Sequence, residues 1–280
     1  MCPFESKKVQ VHNGSFLRLF FITTLLISVT CLGAGVVEAA GLRNRKSAKT
    51  LRSMARIYMA YGDYKKAAPL AEEALMTAKS TFSGDAEIGS CYGDLAYLYR
   101  AMGQHNKAEH MCLTSIEYQK KAYFDMHPYV AMSLKTLSGI YMDQKKFVKA
   151  KIALDKAVEV MLDTHDKEEQ SMAPFYVEYG KLYGLIGENS NAEKYFSKAM
   201  IMINDSYGPE HLYTATVLKS YADFKSQCGN YNKAMELAKK AVSIQEKVYG
   251  SDHHLLADTW VTLAGINHMQ GNALQAGKLL

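Results

Sequence analysis

Histidines, cysteines and paired carboxylates are the residues from which catalysis or metal binding is usually assembled. In this chain they fall in a pattern that serves neither. His127, His211 and His253 each stand seven residues before an apolar position that recurs along the sequence, so they read as one feature of a repeat. No HExxH or paired Cys/His spacing accompanies them, and a metal site needs such a spacing to converge its ligands. Outside the first forty residues the cysteines are Cys91, Cys112 and Cys228, an odd number without CxxC. That argues against a disulfide framework and makes small buried apolar residues the expectation. The acidic pairs Glu72-Glu73 and Glu168-Glu169 fall on helix surfaces or in a loop, where charge is solvated. A P-loop, a nucleophile elbow and a dinucleotide glycine fingerprint are all missing from the sequence. The expectation is a protein that is not an enzyme, with no catalytic residue, no metal and no cofactor.

The elements that carry these residues are helical. Only five prolines in 280 residues, with 48% hydrophobic and 22% charged residues, describe an ordinary helix-rich globular chain. The 33 basic and 28 acidic residues are interleaved along the helices, and a net charge of +5 gives no footprint for nucleic acid. Leu51, Tyr92, Leu134, Tyr176, Leu218 and Trp260 open successive units of 41 or 42 residues. Behind them come Met54, Leu95, Leu137, Tyr179, Tyr221 and Leu263; then the small residues Ala55, Ala96, Ser138, Gly180, Ala222 and Ala264; then Ile57, Leu98, Ile140, Leu182, Phe224 and Ile266. That spacing makes one apolar helical face, with a small residue where a second helix comes close. Gly62, Gly103, Gly187, Gly229 and Gly271 end the first helix, and Lys145 is the one departure. The second helix carries Ala67, Ala108, Ala150, Ala192, Ala234 and Ala276, and seven residues later Ala74, Ser115, Ala157, Ala199 and Ala241. Alanine there lets helix axes approach. Tyr123, Tyr207 and Tyr249 recur at the exit of the second helix and are expected to staple one repeat to the next.

The segments Trp260-Val261-Thr262-Leu263-Ala264 and Tyr176-Val177-Glu178-Tyr179-Gly180-Lys181-Leu182-Tyr183 resemble the first half of the tetratricopeptide pattern W-x2-L-G-x2-Y. The 42-residue period and the loops Tyr207-Gly208-Pro209-Glu210-His211 and Tyr249-Gly250-Ser251-Asp252-His253 are similar to the kinesin light chain subclass. Where that subclass carries Leu-Asn-Asn-Leu-Ala, this chain has Leu51-Arg52-Ser53-Met54-Ala55 and Leu134-Lys135-Thr136-Leu137-Ser138. The resemblance covers residues 44–280 and implies an all-α, right-handed solenoid of six helix-turn-helix repeats, the last incomplete. The repeats are expected at 44–84, 85–126, 127–168, 169–210, 211–252 and 253–280. It also implies a non-catalytic scaffold that holds a peptide or partner protein on its concave face. Carried over position by position, the groove residues are Arg52, Arg56, Tyr97, Arg100, Lys135, Lys181, Lys219 and Asp223. Their cations are expected to favour an acidic or C-terminal-carboxylate peptide. The alternative is a structural part that dimerises or polymerises through the uncapped sixth repeat.

Residues 1–39 are a different material. Lys7, Lys8 and Arg18 precede an uncharged run, Leu19–Val37, closed by Glu38-Ala39-Ala40. These are the parts of a secretory signal peptide with cleavage after Ala39. The run also reaches the lower range of a bilayer span, so a signal-anchor is the alternative, and with it the only expected membrane contact. A basic lead-in, residues 40–50, follows. The repeats are expected to be extracytoplasmic, periplasmic or secreted, or else held at the membrane by the anchor. N-terminal sequencing of the mature protein is expected to begin at Ala40; an intact Met1 in the membrane fraction rejects cleavage.

Overall fold

The computed structural model describes residues 47–163, 172–251, 253–272 and 277. The leader, the lead-in before Ser47, Glu168-Glu169 and most of Ala273–Leu280, including Ala276 and the docking surface expected there, lie outside the described residues. Among the described residues there are eleven α-helices and no strand. The first hairpin is α1 (Ala48–Ala60) and α2 (Tyr64–Ser80), the second α3 (Asp85–Ala101) and α4 (His105–Tyr123). The third is α5 (Pro128–Asp143) and α6 (Phe147–Asp163), the fourth α7 (Ala173–Ile186) and α8 (Asn189–Tyr207). The fifth is α9 (Leu212–Gln227) and α10 (Tyr231–Tyr249); a 3-10 turn, His254–Leu256, then leads into α11 (Ala257–Met269). Each helix packs on its neighbours in sequence, which makes the structure a solenoid of stacked hairpins.

The same backbone chemistry closes all six turns. Gly62, Gly103, Gly187, Gly229 and Gly271 have φ between 72 and 89°, and Lys145 adopts the same left-handed form at 59°. The amide that follows reaches back to the carbonyl five residues earlier, as in Asp63 to Tyr58 at 2.9 Å and Lys146 to Tyr141 at 2.8 Å. These bonds satisfy carbonyls that the helix end leaves open. The repeat therefore imposes its turn even where the residue carries a Cβ.

The recurring histidines are helix caps. The Nδ1 of His127, His211 and His253 accepts the amide of Tyr129, Tyr213 and Leu255 at 3.2, 3.1 and 3.3 Å. An amide only donates, so the imidazole nitrogen facing it carries no proton. Tyr123, Tyr207 and Tyr249 stack on these rings at 4.3, 4.7 and 4.8 Å, joining the end of one hairpin to the start of the next.

The core forms where small residues admit large ones. Ala67, Ala108, Ala150, Ala192 and Ala234 are fully buried, as are Ala74, Ser115, Ala157, Ala199 and Ala241. Ser115 donates to the Gly89 carbonyl at 2.7 Å, and Ser138 to that of Ala150 at 2.8 Å, so the hydroxyls cost no unsatisfied group. On α7 a Cβ added to Gly180 would stand 2.8 Å from the ring of Phe196, and one on Gly184 2.8 Å from that of Phe224. Phe196 is fully buried and stacks on Phe224 at 5.3 Å. Two glycines thus let one pair of aromatic rings lock the fourth repeat to the fifth.

Two expectations are corrected. Ile57, assigned to the apolar face, is 56% exposed, because it points to the side on which an earlier hairpin packs in the later repeats. Cys228 is exposed at the end of α9, whereas Cys91 and Cys112 are buried, and burial pushes their thiols up to about 11 and about 12. Neither forms a disulfide. A separate contact joins distant repeats: the ring of Tyr61, in the first turn, stacks on His254 of the sixth repeat at 3.7 Å.

Replacing Lys145 by glycine removes the left-handed strain and is expected to stabilise the protein by about 1 kcal/mol. Gly180→Ala, which drives a methyl into Phe196, is expected to destabilise it by about 1–3 kcal/mol. Urea denaturation followed by circular dichroism checks both.

Candidate functional site

The inner face of the solenoid is built by the first helix of each hairpin. Between α5, α7 and α9 it holds a hollow of about 520 Å³. Met132, Pro174, Val177 and Val217 make apolar walls, backed by Met161 and Ile203 from the second helices. Pro128 and Pro174 sit in the first turns of α5 and α7, where a missing amide costs the helix nothing. Lys135, Glu178 and Lys181 supply the charge at this surface.

These three groups do not balance. The Glu178 side chain is 10% exposed and accepts from Lys181 Nζ at 3.3 Å. Lys135 makes no ion pair within 4 Å among the described residues; its ammonium lies 5.9 Å from the ring centre of Phe175. Burial holds the Lys135 amine below the ordinary lysine value; Glu178 works against that shift, and Lys181 and Arg100 add to it. Two lysines and one carboxylate thus line the same apolar hollow, and the carboxylate is taken by Lys181. The arrangement leaves one positive charge without a counterpart, which is the electrostatic condition for receiving an anion.

The other expected groove residues are engaged within the chain. Arg52 Nε donates to Asp94 at 2.7 Å and its Nη1 to Glu87 at 3.1 Å, while Arg56 donates to the second Asp94 oxygen at 2.9 and 2.8 Å. Arg100 Nε donates to Asp143 at 2.5 Å, and its guanidinium lies over Gly139, where a Cβ would come within 2.2 Å of Nη1. Lys219 approaches Asp223 at 3.8 Å, and Asp223 accepts from the Thr262 hydroxyl at 3.0 Å. Tyr97 is 57% exposed on α3 and does not line the hollow of Lys135. The structure therefore brings Lys135 and Lys181 together. It gathers Lys181 with Asp223 around a smaller neighbouring hollow of about 170 Å³. Arg52, Arg56 and Arg100 instead tie one repeat to the next.

Asp94, Asp143 and Glu178 escaped the reading of the sequence. The signal for two of them was there: Asp94 and Glu178 each stand two residues after an opening position, in Tyr92-Gly93-Asp94 and Tyr176-Val177-Glu178. The Arg52–Asp94 pair spans one repeat length, 42 residues. Asp143 sits in the last turn of α5, outside that register.

Arg52 and Asp94 side chains are 13% and 9% exposed, whereas those of Arg100 and Asp143 are 29% and 33% exposed. Asp94→Ala removes the buried carboxylate that joins Arg52 to Arg56, leaves Arg52 with Glu87 as its remaining partner, and is expected to cost about 1.5–3 kcal/mol. Asp143→Ala breaks a solvated pair and is expected to cost about 1 kcal/mol or less. Equilibrium denaturation of the two variants separates them.

Comparison with known proteins agrees with this architecture. The tetratricopeptide repeat family profile matches residues 46–121, 87–163 and 219–280, more than half of the chain. No curated protein matches the sequence significantly. Among solved structures, apo RapI superposes with a TM-score of 0.60 at 17% identity, covering 90% of this chain and 88% of that one. The nearly identical TPR-like repeats ascribed to a kinesin light chain of Podosopora anserina give 0.53 at 21% identity, covering 71% and 95%. BtubC (BKLC) from P. vanneervenii gives 0.52 at 13% identity, covering 84% and 89%. At these identities the likeness is one of fold. With stacked hairpins of 42-residue period, left-handed turns at a fixed register and a family match across more than half of its length, the chain belongs to the tetratricopeptide repeat family.

Proposed function

We propose that this protein is a non-catalytic scaffold whose inner face holds an acidic segment of a partner protein, seated at the hollow between α5, α7 and α9. The tetratricopeptide fold supports a protein-interaction role in general. One observation carries the finer reading: Lys135 and Lys181 line one hollow beside apolar walls, and among the described residues its single carboxylate, Glu178, pairs with Lys181 alone. An acidic group arriving there gains two ammonium donors, and an apolar neighbour on the same segment covers Val177 and Met132. Arg52, Arg56 and Arg100 hold the inner face in shape from positions that their carboxylate partners already occupy. We place this activity outside the cytoplasm; the basic, apolar and small-residue stretches of the leader support that placement.

The test is binding of acidic peptides drawn from partners captured in the native compartment. Lys135→Glu and Lys181→Glu are each expected to weaken binding by about tenfold or more, as loss of a charge-assisted bond does. Unchanged affinity in both variants removes the site. The pH profile has a sign as well. The anion binds the protonated amine, and burial makes Lys135 lose its proton below the ordinary lysine range. Affinity is therefore full near neutrality and falls as pH rises, starting earlier than a solvated lysine would allow. Lys135→Arg, which keeps its charge throughout, is expected to flatten that fall in an isothermal titration series.

A further inference from the structure

Phe82 and Phe124 stand at one register position counted back from the next opening residues, Tyr92 and Leu134; Phe124 follows α4 directly, and Phe82 follows α2 after Thr81. In the fourth and fifth hairpins the same position is Gly208 and Gly250. All four residues have positive φ: 49° for Phe82, 69° for Phe124, and 86° for each glycine. Phe124, with ψ at 174°, lies in a backbone region that is essentially reserved for glycine. A Cβ placed on Gly208 or Gly250 meets nothing within 4 Å, so glycine there answers to the backbone and not to lack of space. Phenylalanine at this position gains no packing either. The two residues are 94% and 82% exposed. A large apolar ring has been put twice where the fold favours glycine and where it buries nothing, so neither packing nor turn formation accounts for it.

The surroundings narrow what these rings meet. Helices within a hairpin alternate in direction, so the start of α1, the end of α2, the start of α3 and the end of α4 share one rim. Lys49, Lys79, Lys120 and Lys121 lie on that rim with three carboxylates, Asp85, Glu87 and Asp125, of which Glu87 is already paired with Arg52 at 3.1 Å. Asp125 is taken by Lys120 at 2.9 Å, while Lys79 donates to the Tyr92 hydroxyl at 2.8 Å and Lys121 lies 5.1 Å from the ring centre of Tyr118. The rim thus carries two protruding rings from separate loops and a surplus of ammonium groups. A protein partner would need two hollows at a matching spacing. A bilayer accepts rings at any spacing, and anionic headgroups meet the lysines at the same depth. We propose that this rim is a peripheral contact surface for anionic lipid bilayers, with Phe82 and Phe124 as the groups that insert.

The test uses the full chain and a readout confined to the rim, so that insertion by the leader does not imitate the result. Phe82→Trp and Phe124→Trp are titrated with vesicles of phosphatidylglycerol and phosphatidylcholine carrying brominated acyl chains, with the parent chain subtracted to remove Trp260. Each new indole is expected to shift to the blue and lose intensity, much less so with phosphatidylcholine alone or in about 1 M salt, where charge is screened within a few ångströms. Emission unchanged by anionic vesicles overturns the proposal, including the case in which a protein partner shifts it instead. Adding Phe124→Gly to the Phe82→Trp chain is expected to raise the lipid needed for half-saturation about tenfold, the scale of losing one buried ring. The same substitution is expected to raise the unfolding midpoint, because glycine suits that backbone. A lower midpoint makes the ring structural and overturns its assignment.

Discussion

Neighbouring helices in a solenoid have no closed core to centre them, so the position of the inner surface depends on how near their axes come. Here that distance is set by side chains with almost no bulk. Fully buried alanines on the second helix of each of the five described hairpins, and Ser138, Gly180 and Ala222 on first helices, bring backbones together until rings such as Phe175 and Phe196 fill the space left beside them. A burial of that kind is worth about 1.5–3 kcal/mol per large side chain, and it is repeated at each interface. Everything on the inner face inherits its place from these contacts. Lys135 and Lys181 share a hollow because α5 and α7 are held side by side at this spacing.

The charge on the inner face divides into two kinds with different consequences. Arg52, Arg56 and Arg100 face carboxylates of the following hairpin and act as ties between repeats. At Lys135 and Lys181 the partner count falls short by one. A face fully paired would be inert toward anions, and one fully unpaired would repel itself and loosen the stack. The shortfall falls in the middle repeats, while the arginines of the first two hairpins are paired.

Register was the legible part. Glycine at the turns, alanine at the contacts and the opening apolar residues announce a helical hairpin of fixed length, because each answers to a local steric demand that recurs. The histidines could be recognised as part of the repeat, but their role as caps became visible only with Nδ1 in place beside an amide. Pairing was less legible. Arg52 meets Asp94 across one full repeat, and a sequence shows both residues without showing that successive first helices lie in contact. The exposure of Ile57 and Cys228 was illegible for a related reason: their chemistry suits burial, and what decides is whether a neighbouring helix covers that side.

The stack of Tyr61 on His254 changes what kind of object the chain is to fold. In an open array every contact is between neighbours, loops are short, and each hairpin forms with little regard to distant ones. A contact between the first turn and the sixth repeat closes a loop through all the hairpins between them. Its entropic cost grows only slowly with loop length, while its benefit exists solely when every intervening hairpin has its proper curvature. The contact therefore works as a check on the assembled whole. It rewards the complete superhelix and gives nothing to a chain in which a single repeat has slipped.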